Sequence, residues 1–177
     1  MIYFVRHGET RSNIKLIFSN QGRTRLTARG IEQAQQSAQK LQGVKFDMVY
    51  CSPLTRAKQT LKEILQLNNS DVKVCYDDRL KERKYGSYVD KSIYLIKENR
   101  LDINYVSEDK EFESSKQLVS RADDFLQSIQ PYKGKNVLIV AHMEIGCALG
   151  YCLDHKDKST DLKTYACKNA EIKTYQF

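Results

Sequence analysis

The chain begins with MIYFVRHGET (residues 1–10), where a short apolar run is followed at once by charged and polar residues. Residues 2–5 are β-branched or aromatic, which is the pattern of a buried strand. The run stops at Arg6, so it is too short for the central region of a signal peptide and far too short to span a bilayer. The stretch predicts a first strand that delivers Arg6 and His7 to its carboxyl end.

The rest of the chain alternates between strand-like and helix-like apolar patterns. Further strands are predicted at residues 46–50, 72–76, 137–141 and 170–177, the last of them at a sheet edge. Helices are predicted at residues 28–41, 53–65, 118–129 and 144–152, with a shorter one at 90–98. Thr27 is predicted to cap the first helix, and Ser52-Pro53 to begin the second. This alternation predicts an α/β fold of three layers, with a mainly parallel central sheet and helices on both faces.

Length and composition indicate a single domain over residues 1–177. Hydrophobic residues make up 41% and charged residues 29% of the chain, which is ordinary for a globular protein. Residues 84–112 are polar and aromatic and are predicted to form a small cap segment. The five cysteines show no C-x-x-C spacing. Without a secretion signal, we expect them to be reduced thiols of a cytoplasmic protein.

The formal net charge of +7 favours an anionic partner. The lysines are spread along the chain without a dense basic run, so a solvated surface is expected and a nucleic-acid partner is not. No segment approaches the length of a membrane helix, and no membrane partner is expected. The sequence leaves the oligomeric state open.

Arg6 and His7 form the first candidate site. A lone histidine is as a rule a structural residue or a metal ligand. Here the three histidines have no metal-binding spacing, and the adjacent arginine repels a cation. No metal or cofactor is therefore expected, and His155, in a polar stretch, is given no role. The arginine instead favours an anion and lowers the pKa of the imidazole, which keeps a lone pair available on a neutral nucleophile.

Three other candidates follow predicted strands, and the carboxyl ends of parallel strands meet at one edge of a sheet. Arg56, in the first turn of a helix, suits a phosphate, although a solvated surface arginine is equally compatible with the pattern. Glu82 is a candidate general acid, against the alternative of a surface salt bridge with Arg83 or Lys84. His142 is either a core residue or a second imidazole that donates to phosphoryl oxygens.

Short motifs occur in a fixed order along nearly the whole chain. They are R-H-G-E-T at 6–10 with Asn13, L-T-x-x-G at 26–30, S-P-L-x-R-A-x-Q-T at 52–60, L-x-E at 80–82, Glu113-Ser114 followed by Arg121, V-x-x-V-A-H at 137–142, and Asn169-Ala170. In this order they resemble the histidine phosphatase superfamily, also called the phosphoglycerate mutase-like family. The resemblance implies the three-layer fold of that family.

The resemblance also implies a role for each matching position. His7 resembles the nucleophile that becomes phosphohistidine, and Glu82 resembles the proton donor. The other positions of the implied phosphate pocket are Arg6, Asn13, Arg56 and His142.

Some positions depart from the family pattern. Met143 stands where the family usually has glycine after the second histidine, and Glu144 follows it. Both are expected to narrow the pocket or to reject part of a highly anionic substrate, and Met143 is predicted to line it. Phe18-Ser19 resembles the mutase branch, which adds Ser19 to the predicted phosphate-binding residues, whereas Asn20 replaces the usual glycine of that branch.

The residues and the resemblance together predict a metal-independent phosphatase that hydrolyses a small phosphorylated metabolite through a phosphohistidine on His7. The mutases of the family resemble one another in having a long insertion between the L-x-E and E-S motifs. Here only residues 83–112 separate Glu82 from Glu113, which favours hydrolysis. A phosphoglycerate mutase and an inactive phosphate-binding module are the alternatives, and the natural substrate is left open.

Overall fold

The structure is a computed structural model that describes residues 1–19, 21–22, 24–68, 71–96, 98–154 and 161–177. Its strands are β1 Ile2–Arg6, β2 Met48–Cys51, β3 Val74–Tyr76, β4 Val137–Ala141 and β5 Ile172–Tyr175. Its α-helices are α1 Arg11–Ile14, α2 Ala28–Lys40, α3 Thr55–Asn68, α4 Ser115–Ser128 and α5 Met143–Leu153. The expectations that name Asn20 and His155 lie outside the described residues.

The strands form a sheet in the order β3-β2-β4-β1-β5, in which β5 is an antiparallel edge strand and the other pairs are parallel. Helices α2 and α3 pack together on one face, and α4 and α5 pack together on the other. The predicted three-layer, mainly parallel fold is therefore confirmed.

Strand β4 shows how the sheet builds two cores. Its five residues are all buried, and alternate side chains contact the α4–α5 layer or the α2–α3 layer. This is the pattern of a strand covered on both faces. Because β4 pairs in register with β1, with Arg6 beside Ala141, the segments that follow the two strands emerge side by side.

Three predicted strands are shorter than expected. β2 begins at Met48, where its pairing with β4 begins, although Phe46 is buried in the core beside α2 and α3. β3 begins at Val74, where its pairing with β2 begins. β5 begins at Ile172, since Ala170 has a φ of 55°, outside the extended region.

Helix α3 begins at Thr55, so the prediction of Ser52 as its cap and Pro53 as its first residue is wrong. Ser52 Oγ accepts a hydrogen bond from the Leu54 N–H at 3.3 Å and lies 2.7 Å from Nε2 of His142. The serine therefore closes the turn between β2 and α3 and points its hydroxyl at the candidate site.

Capping boxes set the starts of two helices that the apolar pattern placed wrongly or missed. Ser114 and Gln117 form one at the start of α4, which therefore begins at Ser115 and not at residue 118. Thr10 and Asn13 form another at the short helix α1, which was not predicted. Helix α5 is longer by one residue at each end than the predicted 144–152.

The helix predicted at residues 90–98 is wrong. The cap segment, residues 84–112, has 3-10 turns at Gly86–Tyr88, Ile93–Leu95 and Glu98–Leu101. Asp90 has a φ of 62°, which an α-helix does not tolerate. Backbone groups of residues 90–93 instead pair with residues 16–18, so contacts distant in sequence override the local helical pattern.

The cap segment has a small core of its own. Tyr85, Ile96 and Phe112 are buried against Phe18, which belongs to the loop after α1. The segment is thus packed onto the main body and does not project from it. Among the described residues, no helix is both long and apolar enough to cross a bilayer, and all five cysteines are free thiols.

Candidate active site

His7 follows β1 and is held in one orientation. Its backbone N–H donates to the Ala141 carbonyl at 2.9 Å, and its ring Nδ1 lies 2.7 Å from the Gly8 carbonyl oxygen. Because a carbonyl oxygen only accepts, Nδ1 carries the proton. The lone pair of Nε2 then accepts a hydrogen bond from Arg56 Nε at 3.2 Å. The ring is therefore a neutral imidazole whose nucleophilic nitrogen faces a guanidinium.

Burial and positive charge both keep His7 neutral. The residue is 4% exposed, and burial is the largest cause that lowers its pKa well below the ordinary value of 6.5. Arg56 and then Arg6 lower this pKa further, while the hydrogen bond to the Gly8 backbone opposes them. Sequence reasoning identified the effect of the arginine but missed the larger effect of burial.

The loop that carries His7 touches the first turn of α2 through backbone atoms. The carbonyl of Glu9 accepts the N–H of Thr27 at 2.9 Å, and Thr27 caps α2. A Cβ on Gly8 would clash with the Gly30 carbonyl, and a Cβ on Gly30 would clash with the Glu9 carbonyl. Only glycine at both positions permits this approach, which gives the L-T-x-x-G motif its physical reason.

Arg56 lies in the first turn of α3, where helix N–H groups already favour an anion. It is 1% exposed, so it is not a solvated surface residue. Thr60 connects it to the loop that carries His7, because Thr60 Oγ1 accepts the Gly8 N–H at 3.0 Å and donates to the Arg56 carbonyl at 2.9 Å. The guanidinium and the imidazole are therefore fixed relative to each other.

Arg6 and His142 each bring a buried polar atom that lacks a partner. Arg6 Nη1 donates to the Cys167 carbonyl at 2.7 Å. The His142 ring lies 5.1 Å from the His7 ring, with its Nε2 beside Ser52 Oγ. Within the described residues, Arg6 Nε and His142 Nδ1 are buried without a hydrogen bond. Such atoms cost free energy unless a ligand meets them, so the arrangement fits an anion.

Burial also keeps His142 neutral. Burial is the largest cause that lowers its pKa well below 6.5, followed by the charge of Arg56, by His7 whenever that ring is protonated, and by the charge of Arg6. The residue is completely buried at the end of β4. It is therefore both a core residue and a neighbour of the His7 ring, and the two sequence alternatives are not exclusive.

Asn13 is oriented by its neighbours. Its Oδ1 accepts hydrogen bonds from the Thr10 N–H at 3.0 Å, the Thr10 hydroxyl at 2.9 Å and Asn169 Nδ2 at 3.2 Å. Asn169 also donates to the His7 carbonyl at 3.1 Å. With Oδ1 occupied, the amide nitrogen of Asn13 is the group that remains to donate to a ligand. Sequence reasoning had placed Asn169 only in the closing motif.

Glu82 lies against the N-terminus of α5. Its Oε2 accepts the Met143 N–H at 3.1 Å, and its Oε1 accepts the N–H of Ile145 at 3.3 Å and of Arg83 at 3.0 Å. It is 6% exposed, so the alternative of a surface salt bridge is wrong. Burial, followed by the charge of Glu144, raises its pKa, while the Arg83 N–H and the charges of Arg56 and Arg6 act to lower it.

A buried ion cluster lies next to Glu82 and was missed in the sequence. Glu144 contacts Arg83 Nε at 3.1 Å through one oxygen and Arg100 Nε at 3.1 Å through the other. Glu144 and Arg83 are both completely buried. The available signal was a lone carboxylate in the first turn of an apolar helix, which must find a buried cation.

The predicted site residues other than His142 line one cavity of about 320 Å³. Its wall includes Arg6, His7, Asn13, Ser19, Arg56, Glu82 and Met143. Ser19 lies at this wall with its hydroxyl 3.4 Å from Thr24 Oγ1. Glu144 also lines the cavity. His142 is not among the described residues of the cavity wall, and its ring lies 5.1 Å from the His7 ring. In the part of the chain that is described, no group of three or more His, Cys, Asp or Glu side chains is arranged to hold a metal ion.

Comparison with known proteins identifies the family. Residues 2–177 match the model of the histidine phosphatase superfamily (branch 1). The adenosylcobalamin/alpha-ribazole phosphatase of Escherichia coli K12 is 32% identical over 154 residues, which cover 81% of this chain and 74% of that protein. A 2,3-bisphosphoglycerate-dependent phosphoglycerate mutase of Brucella anthropi is 35% identical over 166 residues, which cover 86% of this chain and 81% of the mutase.

A solved structure agrees with these relatives. The alpha-ribazole phosphatase of Shigella flexneri superposes with a TM-score of 0.79 at 26% identity, covering 97% of this chain and 87% of that one. The family predicted from the ordered motifs is confirmed. This chain belongs to the histidine phosphatase superfamily.

Proposed function

We propose that the chain is a phosphatase that hydrolyses a small phosphorylated metabolite through a phosphohistidine on His7. The observation that carries the proposal is the buried, neutral ring of His7, whose Nε2 faces Arg56 at 3.2 Å. A neutral imidazole beside a guanidinium is arranged to attack an anion that the guanidinium holds. The similarity to an enzyme named as an alpha-ribazole phosphatase supports hydrolysis of a phosphate ester.

In the first step, the Nε2 lone pair of His7 forms a bond to phosphorus while the bond from phosphorus to the ester oxygen breaks. Phosphoryl transfer depends mainly on positioning and on stabilising the equatorial oxygens. Arg6, Arg56, Asn13 and His142 are the groups that would meet those oxygens. They need no metal or cofactor for this role.

Glu82 would move the proton in both steps. Its raised pKa favours the protonated form, which gives its proton to the departing oxygen so that the product leaves as an alcohol. The resulting carboxylate then takes a proton from water as the water oxygen attacks phosphorus. The bond between phosphorus and His7 Nε2 breaks, and inorganic phosphate leaves. The imidazole regains its lone pair, and Glu82 keeps the proton taken from water, so both groups are ready for another turnover.

The mutase alternative is favoured by the Brucella relative, and hydrolysis is favoured by the cap segment. A mutase must keep water from the phosphohistidine, which requires a lid over the site. The described part of the cap segment contributes Tyr85, Ile93 and Arg100 to the wall of the cavity and forms only short turns. We therefore propose that hydrolysis is faster than phosphoglycerate mutation.

The proposal extends to domain organisation and location. The family match over residues 2–177 supports a single domain that includes the cap segment. The five free thiols suit a reducing compartment, so a cytoplasmic location is proposed. Because the lysines are scattered without a dense basic run, we propose that the enzyme acts on small anions and has no nucleic-acid or membrane partner.

The substitution His7→Ala tests the nucleophile. We expect wild type exposed to a radiolabelled phosphate ester to retain acid-labile label, and the variant to retain none. Release of phosphate should fall by at least about a thousandfold, as for other enzymes that lose a nucleophile. Gln36→Ala, at an exposed position of α2, is the control and should behave as wild type.

Two results would contradict the proposal. One is label retention or full turnover by His7→Ala with an unchanged circular dichroism spectrum. The other is interconversion of 2- and 3-phosphoglycerate by wild type at a rate above phosphate release from every monoester tested.

A further inference from the structure

A second cavity, of about 380 Å³, opens beside the catalytic cavity. Its wall is mainly apolar or aromatic, formed by Ile93, Tyr94, Ile96, Leu101, Met143 and Ala166. Ile93, Arg100 and Met143 line both cavities, so the two lie side by side and share part of their walls. We call the second cavity the apolar groove.

The basic residues of the apolar groove are poorly placed to bind an anion. Arg100 Nε lies 3.1 Å from Glu144 Oε1, and the other oxygen of this buried carboxylate contacts Arg83. This pairing with Glu144 offsets part of the charge of Arg100, so Arg100 attracts a substrate carboxylate less strongly than an unpaired arginine would. Lys163 is exposed, and an ion pair in solvent contributes little.

The proton donor directs the leaving group toward the apolar groove. Glu82 Oε2 accepts the backbone N–H of Met143 at 3.1 Å, and Met143 lines the groove. The ester oxygen must come within about 3 Å of the Glu82 carboxyl to receive its proton. The alcohol part of the substrate then leaves the catalytic cavity on the Met143 side.

We propose that the apolar groove binds the alcohol part of the substrate, and that the substrate is a phosphate monoester of an uncharged, largely apolar alcohol. This inference rests on the proposed function and narrows its substrate class. Arg6 and Arg56 hold the phosphate, while Arg100, paired with Glu144 and placed over the Phe18 ring at 5.4 Å, forms the border between the charged and apolar regions.

A larger cavity, of about 630 Å³, is the competing location for the alcohol part. It shares Ser19 and Tyr85 with the catalytic cavity, and its wall carries the charged residues Arg83, Lys84, Lys110, Glu111 and Glu113. It would suit a polar or charged group. Among the residues described, neither Glu82 nor Met143 lines it, so the position of the proton donor favours the apolar groove.

Two matched substrate pairs test the inference on the wild-type protein. Ethyl and hexyl phosphate have similar leaving groups but differ by four methylenes, each of which strengthens binding by about fourfold when buried. We expect kcat/KM to be at least about tenfold higher for hexyl phosphate, since that requires burial of only about two methylenes. Glycerol 3-phosphate and 3-phosphoglycerate differ by one carboxylate, and we expect the higher kcat/KM for glycerol 3-phosphate.

Ile93→Ser removes one apolar side chain shared by both cavities. The ratio of kcat/KM for hexyl over ethyl phosphate should fall at least about threefold, because less apolar area is buried. Val106→Ser is the matched control, since Val106 belongs to the same cap segment but is 81% exposed and outside the groove. For Val106→Ser, the ratio of kcat/KM for hexyl over ethyl phosphate should equal that of wild type.

The inference is overturned if hexyl phosphate is no better than ethyl phosphate, or if 3-phosphoglycerate is the better member of its pair. It is also overturned if Ile93→Ser and Val106→Ser change the ratio of kcat/KM for hexyl over ethyl phosphate equally. These outcomes leave the proposed function intact as long as the esters are hydrolysed and His7 retains label. Absence of both hydrolysis and label would instead refute the proposed function itself.

Discussion

Opposing effects act on the pKa of the Glu82 carboxyl. Backbone N–H groups at the start of α5 favour its ionised form, whereas burial and the carboxylate of Glu144 favour its protonated form. Burial is the largest cause, and the pKa is raised. Glu82 therefore stays protonated to a higher pH than an ordinary glutamate, as the first step of the proposed reaction requires.

Glu82→Gln should reduce kcat for an alkyl phosphate by about 10² to 10⁴, the usual contribution of a general acid. An aryl phosphate with an acidic phenol needs no such proton and should lose much less while the first step limits the rate. With wild type and an alkyl phosphate, activity should fall as pH rises through the raised pKa of Glu82. That fall should be absent from the variant.

Rates measured across pH with both substrates check this prediction. Glu108→Gln, at an exposed position of the cap segment, is the control and should keep the wild-type profile. Equal losses on the two substrates would assign Glu82 a structural role or a role in the second step only.

At the scale of elements, the loop that carries His7 and the first turn of α2 are in backbone contact. Gly8 and Gly30 let two backbones touch, and Thr27 both caps α2 and donates to Glu9. Helix α2 therefore does more than cover the sheet. Its first turn fixes the position of the loop that carries His7, the proposed nucleophile.

Gly30→Ala should push the His7 loop away from α2. The inserted methyl meets backbone atoms that have no alternative rotamer, so we expect a loss of about 1–3 kcal/mol in the free energy of unfolding. A misplacement of the nucleophile by about 1 Å should also lower kcat about a hundredfold. Urea denaturation and steady-state kinetics check both effects. Gln36→Ala in the same helix should leave stability within about 0.5 kcal/mol, and a similar result for Gly30→Ala would refute the packing argument.

At the scale of the whole molecule, folding encloses two neutral imidazoles between the helical layers. The pKa values of His7 and His142 lie well below 6.5 in the folded state, so unfolding takes up protons at pH values below 6.5. Their contribution to stability is present above that pH and is lost as pH falls. Asp77, whose pKa is lowered, adds to the loss in acid, whereas Glu82, whose pKa is raised, opposes it.

We expect the free energy of unfolding to decrease as pH is lowered from about 7.5 to about 5, because two imidazoles outweigh one carboxyl. Each proton taken up on unfolding contributes about 1.4 kcal/mol per pH unit. Urea denaturation in phosphate-free buffer measures the curve. His7→Gln should reduce the slope of the free energy of unfolding against pH by up to about 1.4 kcal/mol per pH unit. A wild-type curve that is flat, or that rises as pH is lowered, would contradict the prediction.

Local patterns determined much of this protein. The β-branched and aromatic run before Arg6 and the apolar residues 137–141 predicted the central strands, because a strand covered on both faces is mostly apolar. The parallel order of strands then brought the candidate residues to one edge. Motif order alone predicted the family.

Tertiary structure decided what depends on contacts between distant residues. The helix expected at 90–98 was replaced by turns because its backbone pairs with residues 16–18. The neutrality of His7 follows mainly from burial, which no motif reports. The pairing of Glu144 with Arg83 and Arg100 joins α5 to the cap segment. A buried charge must be matched wherever the fold brings a partner near it, and spacing along the chain does not specify that partner.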